Sequence, residues 1–299
     1  MDKLLDMYHW LRITTTIEDY VEPSYYDNLL KPYIFAGKSD LDIFKDFLKQ
    51  DFKNSNTQPK VLELGCGNGR VTKVFLNTIQ KYNLDLVDLS SRMMKASKSN
   101  FKTYKNIKYF VSDSINYLEK NNKVYDLIFS LWSFSHSVHQ ILNKYGIEKG
   151  NKKIKKTIIK TVQKNMKKGS QIFIIHFDSL SDEQRILIRQ WRHVFPIFKR
   201  NSIQSPSKLI IDESLNELFE MGLIKYSLKH YIGKPIIYDS IDKALEIFMN
   251  FHMESFFNKS VQCPQIINEL TAYFQKFKRK NGKIYIKPGC YIYRIKKNI

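Results

Sequence analysis

The chain has 299 residues, 43% of them hydrophobic and 14% aromatic, enough for one large domain or two modest ones with a sizeable core. Its three cysteines, Cys66, Cys263 and Cys290, are too few and too scattered for a disulfide framework and lack the CxxC spacing of a zinc site, so no metal is expected. The net charge of +20 admits a nucleic-acid partner, but lysine is spread over nearly every segment beside Asn and Ile, which favours general lysine usage over a dedicated patch.

No run of about eighteen apolar residues is present to span a membrane. The opening MDKLLDMYHWLRI lacks the basic start and apolar run of a secretory signal. A cytoplasmic protein is expected.

In chain order, residues 1–56 are expected to form a helical N-terminal cap. Tyr8, Trp10, Tyr20, Tyr25, Tyr26, Tyr33 and Phe35 run through it, and Leu41, Phe44, Phe47 and Leu48 stand at helical spacing. A polar linker closed by Pro59 leads into a second unit, residues 57–299. There strands and helices alternate: strand Lys60–Leu64, helix 70–81, strand 84–89, helix Ser91–Asn100, strands Ile107–Val111 and Tyr125–Leu131, helix 154–166 and strand 171–177. Such alternation predicts an α/β fold with a mostly parallel sheet covered on both faces. Further on, a helical insertion is expected over about 179–222, with helices at 181–194 and 212–221. A strand is expected at 224–232, helices within 239–277, and a hairpin-like pair or one interrupted strand at 283–286 and 290–295.

The stretch Lys60-Val-Leu-Glu-Leu-Gly-Cys-Gly-Asn-Gly-Arg70 carries the first chemistry. A dinucleotide turn reads GxGxxG; here the glycines are Gly65, Gly67 and Gly69, and no GxxxxGK[ST] cradle exists. Glycines at a strand-to-helix turn let a ligand lie against bare backbone, and the helix behind aims its N–H groups at it.

The chain resembles the class I methyltransferases that use S-adenosylmethionine. Four stretches carry the resemblance in order: Glu63-Leu64-Gly65-Cys66-Gly67-Asn68-Gly69-Arg70, Leu86-Val87-Asp88-Leu89-Ser90, Val111-Ser112-Asp113-Ser114 and Tyr125-Asp126-Leu127-Ile128-Phe129-Ser130. It implies a Rossmann-like sheet of seven strands, the last antiparallel, and S-adenosyl-L-methionine as cofactor. By the same resemblance Asp88 takes the ribose hydroxyls, Asp113 and the Ser114 backbone the adenine, and Leu89 with Met93 or Met94 the ring faces. Glu63 and the Gly65 carbonyl face the methionine ammonium, Cys66, Gly67 and Asn68 complete the loop, and Leu131 and Trp132 line the sulfonium. The alternative for Asp88 and Asp113 is that each caps the helix that follows, and for the two methionines that they fill core.

For the methyl acceptor, ligands of open α/β sheets bind at the carboxyl ends of strands. That places His136 and His176 as candidate acceptor-side residues or bases; His139 is expected one turn deeper, pointing away. Tyr20, Tyr25, Tyr26 and Tyr33 either line an aromatic acceptor pocket or pack the cap onto the sheet. No proline-containing signature of base methylation follows the fourth strand, and no cysteine nucleophile stands there. A small molecule or peptide, methylated at nitrogen, oxygen or carbon, is the favoured acceptor. An RNA- or ribosome-associated methyltransferase and a non-catalytic scaffold subunit are the alternatives; the oligomeric state is open.

Overall fold

The computed structural model describes residues 2–12, 28–52, 58–194, 197–198, 204–252 and 258–299. Ahead of the sheet lie α1 (Asp2–Met7), a tight hairpin of β1 (Ile34–Phe35) and β2 (Lys38–Ser39), and α2 (Asp40–Phe47), which continues as a π-helical turn over Leu48–Phe52. The alternating part reads β3 (Lys60–Leu64), α3 (Arg70–Thr78), β4 (Asn83–Asp88), α4 (Ser91–Asn100), β5 (Ile107–Val111), α5 (Ser114–Lys120), β6 (Tyr125–Leu131), α6 (Phe134–Tyr145), α7 (Ile147–Lys164) and β7 (Met166–Phe177). Then come α8 (Asp182–Val194), α9 (Pro206–Glu220), β8 (Ile224–Ile232), β9 (Ile236–Tyr238), α10 (Ile241–Ile247) with a π-helical turn over Phe248–His252, α11 (Cys263–Gln275), β10 (Ile284–Ile286) and β11 (Gly289–Lys297).

Seven strands form one sheet in the order β5-β4-β3-β6-β7-β11-β8. All pairs are parallel except those of β11, which runs antiparallel to both β7 and β8. The strand order reverses between β3 and β6, and the crevice beyond their carboxyl ends is where such sheets bind ligands. The two strands are buried apart from the exposed Lys60 and the half-buried Asp126, as strands covered on both faces must be.

The capping segment is fixed by aromatic packing. Phe44 and Phe47 of α2 are fully buried, with ring centroids 4.7 Å from Phe129 of β6 and 4.6 Å from Phe173 of β7 respectively. Burying a side chain of this size stabilises by about 1.5–3 kcal/mol, so α2 belongs to the core of the fold and packs on the central strands β6 and β7.

Several elements differ from the sequence expectation. Helix α6 begins at Phe134 and takes in His136 and His139, and α5 forms between β5 and β6, where the sequence reading places no helix. Helix α9 begins at Pro206, six residues before Asp212: Ser205 accepts from the Lys208 N–H and Pro206 holds the first helical position. The strands at 283–286 and 290–295 are no hairpin; β10 pairs with β9 in a separate ribbon while β11 enters the main sheet. The lysine run at 149–156 lies inside α7, where Lys153 and Lys155 pair with Glu119 and Glu213.

Candidate active site

The three glycines of the loop between β3 and α3 all have left-handed backbone, with φ of 72° at Gly65, 55° at Gly67 and 96° at Gly69, a region that favours glycine. Their surroundings differ. A Cβ on Gly65 would overlap the Ser133 side chain and one on Gly69 the Phe101 ring, whereas one on Gly67 would meet nothing within 4 Å. The outer glycines therefore permit close packing inside the protein, and the middle one leaves bare backbone facing open space. The Gly67 N–H donates to Asp88 Oδ2 at 2.8 Å, and the Ser90 N–H donates to Oδ1 at 2.9 Å. Asp88, at the carboxyl end of β4, thereby sits against the glycine loop, and burial raises its pKa. It is not the cap of α4; Ser90 is, accepting from the Met93 N–H at 3.2 Å.

At the next strand end, Asp113 does cap α5: its Oδ1 accepts from the Asn116 N–H at 2.9 Å. Its second oxygen is buried and accepts no well-formed hydrogen bond among the described residues, with Ser137 its hydroxyl neighbour. A buried carboxylate oxygen left over in this way is a site for an incoming N–H donor. Capping and ligand binding are compatible because they use different oxygens. Ser114 is buried at the start of α5, Leu89 is half-buried and Met93 is buried outside the hydrophobic core that takes in Met94. Leu131 closes β6 and is buried.

Glu63 is 2% exposed and accepts from the Thr72 hydroxyl at 2.6 Å. Burial pushes its pKa up to about 8, with the nearby Asp88 charge adding to the rise. Cys66 is a buried thiol whose pKa burial raises well above its usual value, which makes it a packing residue and a poor nucleophile. The Asn68 carbonyl accepts from Asn100 at 2.9 Å and its side chain accepts from the Arg70 N–H at 3.3 Å, fixing the turn into α3.

Sequence reasoning missed the residue that joins the two sides of the crevice. Asp40, the first residue of α2, is 1% exposed. It receives both terminal nitrogens of Arg70, the first residue of α3, and the Trp132 indole N–H at 2.7 Å. Trp132 has φ of 67°, a conformation that costs a bulky residue about 1–3 kcal/mol. The bond to Asp40, the Trp132 N–H bond to the Ile175 carbonyl at 2.9 Å and the rings of Tyr33, Phe35 and Phe177 hold it there.

Beyond Trp132 lies a cavity walled by Trp132, Phe177, Trp191 and Phe198 and by four histidines, His136, His139, His176 and His252. Ser133, which packs on Gly65, belongs to its wall as well, so cavity and glycine loop adjoin. His136 is half-buried there. His139 lines the same cavity, contrary to expectation, because positions three apart on α6 share a face. His176 Nδ1 lies 2.7 Å from the Phe177 carbonyl and Nε2 2.9 Å from the Ser207 hydroxyl. A carbonyl only accepts, so Nδ1 carries the proton and Nε2 accepts from Ser207. With both nitrogens engaged and its pKa pushed down to about 4 by burial, His176 positions the wall and is a poor base. Tyr33 stands behind the wall, donating to the buried Glu183 carboxylate at 2.5 Å, the packing alternative for that residue. Tyr20, Tyr25 and Tyr26 lie outside the described residues. Among the described residues no cluster of three His, Cys, Asp or Glu converges to hold a metal ion, and no helix is long and apolar enough to cross a membrane.

Comparison with known proteins agrees with this geometry. A family model described as a methyltransferase domain matches residues 61–145. The malonyl-[acyl-carrier protein] O-methyltransferase of Paenibacillus sp. (strain JDR-2) is 29% identical over 101 residues, 33% of this chain and 37% of that protein. The carboxy-S-adenosyl-L-methionine synthase of Helicobacter pylori (strain G27) is 23% identical over 211 residues, 70% of this chain and 79% of the synthase. The chain thus spans well under half the length of the first relative and most of the second. Among solved structures, a Haemonchus contortus N-methyltransferase crystallised with phosphomonomethylethanolamine and S-adenosylhomocysteine shares the fold. Its TM-score is 0.50 at 14% identity, covering 95% of this chain and 60% of that one. With the motif order, the sheet order and the matched segment in agreement, residues 61–145 carry a methyltransferase domain, set in the seven-stranded sheet of the class I S-adenosylmethionine-dependent type.

Proposed function

We propose that the chain transfers a methyl group from S-adenosylmethionine to a small molecule held in the histidine-lined cavity. The observation that carries this reading is the adjacency of that cavity to the glycine loop through Ser133. The bound cofactor supplies an electrophilic methyl on a sulfonium. The chain's residues do the rest. The open backbone at Gly67 and the carboxylate of Asp88 hold the ribose and methionine portions, the spare oxygen of Asp113 meets the adenine amine, and Leu89 and Met93 flank the ring. Orienting two reactants and excluding water supply much of the acceleration in such a transfer. A hydroxyl or amine acceptor leaves one proton behind, and the half-buried His136 is the residue placed to receive it.

Incubating the protein with methyl-labelled S-adenosylmethionine and a cell extract tests the reading. Label is expected in the small-molecule fraction; label confined to RNA or to protein overturns the acceptor class. Absence of any calorimetric binding of S-adenosylhomocysteine overturns the cofactor and leaves a scaffold. His136→Ala is expected to cut transfer by about a hundredfold with unchanged affinity for S-adenosylhomocysteine.

A further inference from the structure

His139 is 6% exposed, lines the cavity, and neither ring nitrogen has a hydrogen-bond partner among the described residues. The edge contacts of Trp191 at 5.7 Å and Phe198 at 5.0 Å fix its plane. A neutral imidazole offers one N–H donor and one acceptor, and buried polar atoms left single are costly unless something completes them. The rest of the wall is aromatic rings, aliphatic side chains, serines, Gln184 and other histidines; no Lys, Arg, Asp or Glu of the described residues lines it. Glu183, just behind, is engaged by the Tyr33 hydroxyl and by Gln184 Nε2 at 3.0 Å. A charged guest would be desolvated there with no carboxylate, ammonium or guanidinium of the described residues in contact, at a cost of several kcal/mol, whereas flat rings suit the aromatic walls.

Resting on the methyltransferase reading, we propose that the cavity admits an uncharged, ring-sized molecule bearing a hydroxyl, and that His139 recognises that hydroxyl. His139 is a specificity-determining residue in this scheme, and it separates a hydroxylated ring from its bare hydrocarbon counterpart.

The test uses phenol, toluene, benzoate and benzylamine as probes of the full-length protein, saturated with S-adenosylhomocysteine, with affinities from ligand-observed NMR at neutral pH. Phenol is expected to bind at least about tenfold more tightly than toluene and than either charged probe. The phenol-to-toluene ratio should fall to near one in His139→Phe and return in His139→Gln, which keeps a donor and an acceptor. Thermal unfolding of both variants separates folding from recognition, and the probe ranking in the unaltered protein requires no variant. Equal binding of phenol and toluene, preference for benzoate or benzylamine, or an unchanged ratio in folded His139→Phe would overturn the inference. Failure of S-adenosylhomocysteine to bind while the phenol preference holds overturns the cofactor reading and leaves the cavity's selectivity standing.

Discussion

The two sides of the crevice are built by opposite means. On the proposed cofactor side, the parts are backbone shape and single carboxylates at successive strand ends: Gly67, Asp88 and Asp113. On the proposed acceptor side, side chains converge from α6, β7, α8, α9 and the turn after α10. One side is local in sequence, with every part near a strand end. The other is assembled by tertiary structure. Locally built sites tolerate changes elsewhere in the chain, whereas an assembled cavity depends on each helix that contributes to it.

Asp40 is the place to break this division, since it binds residues of both sides. Asp40→Ala leaves the buried Arg70 charge without its carboxylate and Trp132 without its indole partner, so a loss of about 3–5 kcal/mol of stability is expected in denaturant unfolding. S-adenosylhomocysteine affinity should fall at the same time; a variant of normal stability and affinity would show that the two sides are independent. Gly65→Ala probes the glycine loop's packing role. Strain at φ of 72° together with overlap on Ser133 is expected to cost about 3 kcal/mol, while Gly67→Ala, with open space around it, should cost only about 1 kcal/mol. Equal losses would remove the distinction between the two glycines.

Glu63 sharpens the cofactor side through pH. Its folded pKa of about 8 lies above its value in the unfolded chain. The stability it contributes is therefore fully present below about pH 4.5 and is lost as pH rises to about 8, by an amount on the order of 5 kcal/mol. Unfolding of Glu63→Gln across that window is expected to lack the decline, and a parallel slope in both proteins would contradict the burial of that carboxyl. Asp88→Ala is expected to cost about 1–3 kcal/mol of S-adenosylhomocysteine affinity, read by calorimetry; an unchanged constant would remove Asp88 from the site.

The contrast also accounts for what was legible in the sequence. Sheet and cradle were readable because strand ends, glycine spacing and apolar runs are properties of short segments. Ile107–Val111 and Tyr125–Leu131 have the expected bounds. Asp40 was not readable as a partner of Arg70 and Trp132, since the contacts span 30 and 92 residues and an aspartate after a serine reads as a helix start. The sequence reading sets His139 one turn deeper and pointing away, whereas the helix from Phe134 puts it on the face of His136. Helix period over Phe134, Val138, Ile141 and Leu142, all buried, is the signal that could have found it.

The position of β11 has a consequence for how the chain reaches its native state. Residues 289–297 lie between β7 and β8, so neither of those strands can complete its pairing on that side until the polypeptide has emerged from the ribosome that far. Until then the apolar β7 presents an open edge, the kind of surface on which nascent chains associate. Synthesis speed and chaperone supply are thereby tied to the yield of folded protein, and a truncation ahead of Gly289 should aggregate while it is still being made.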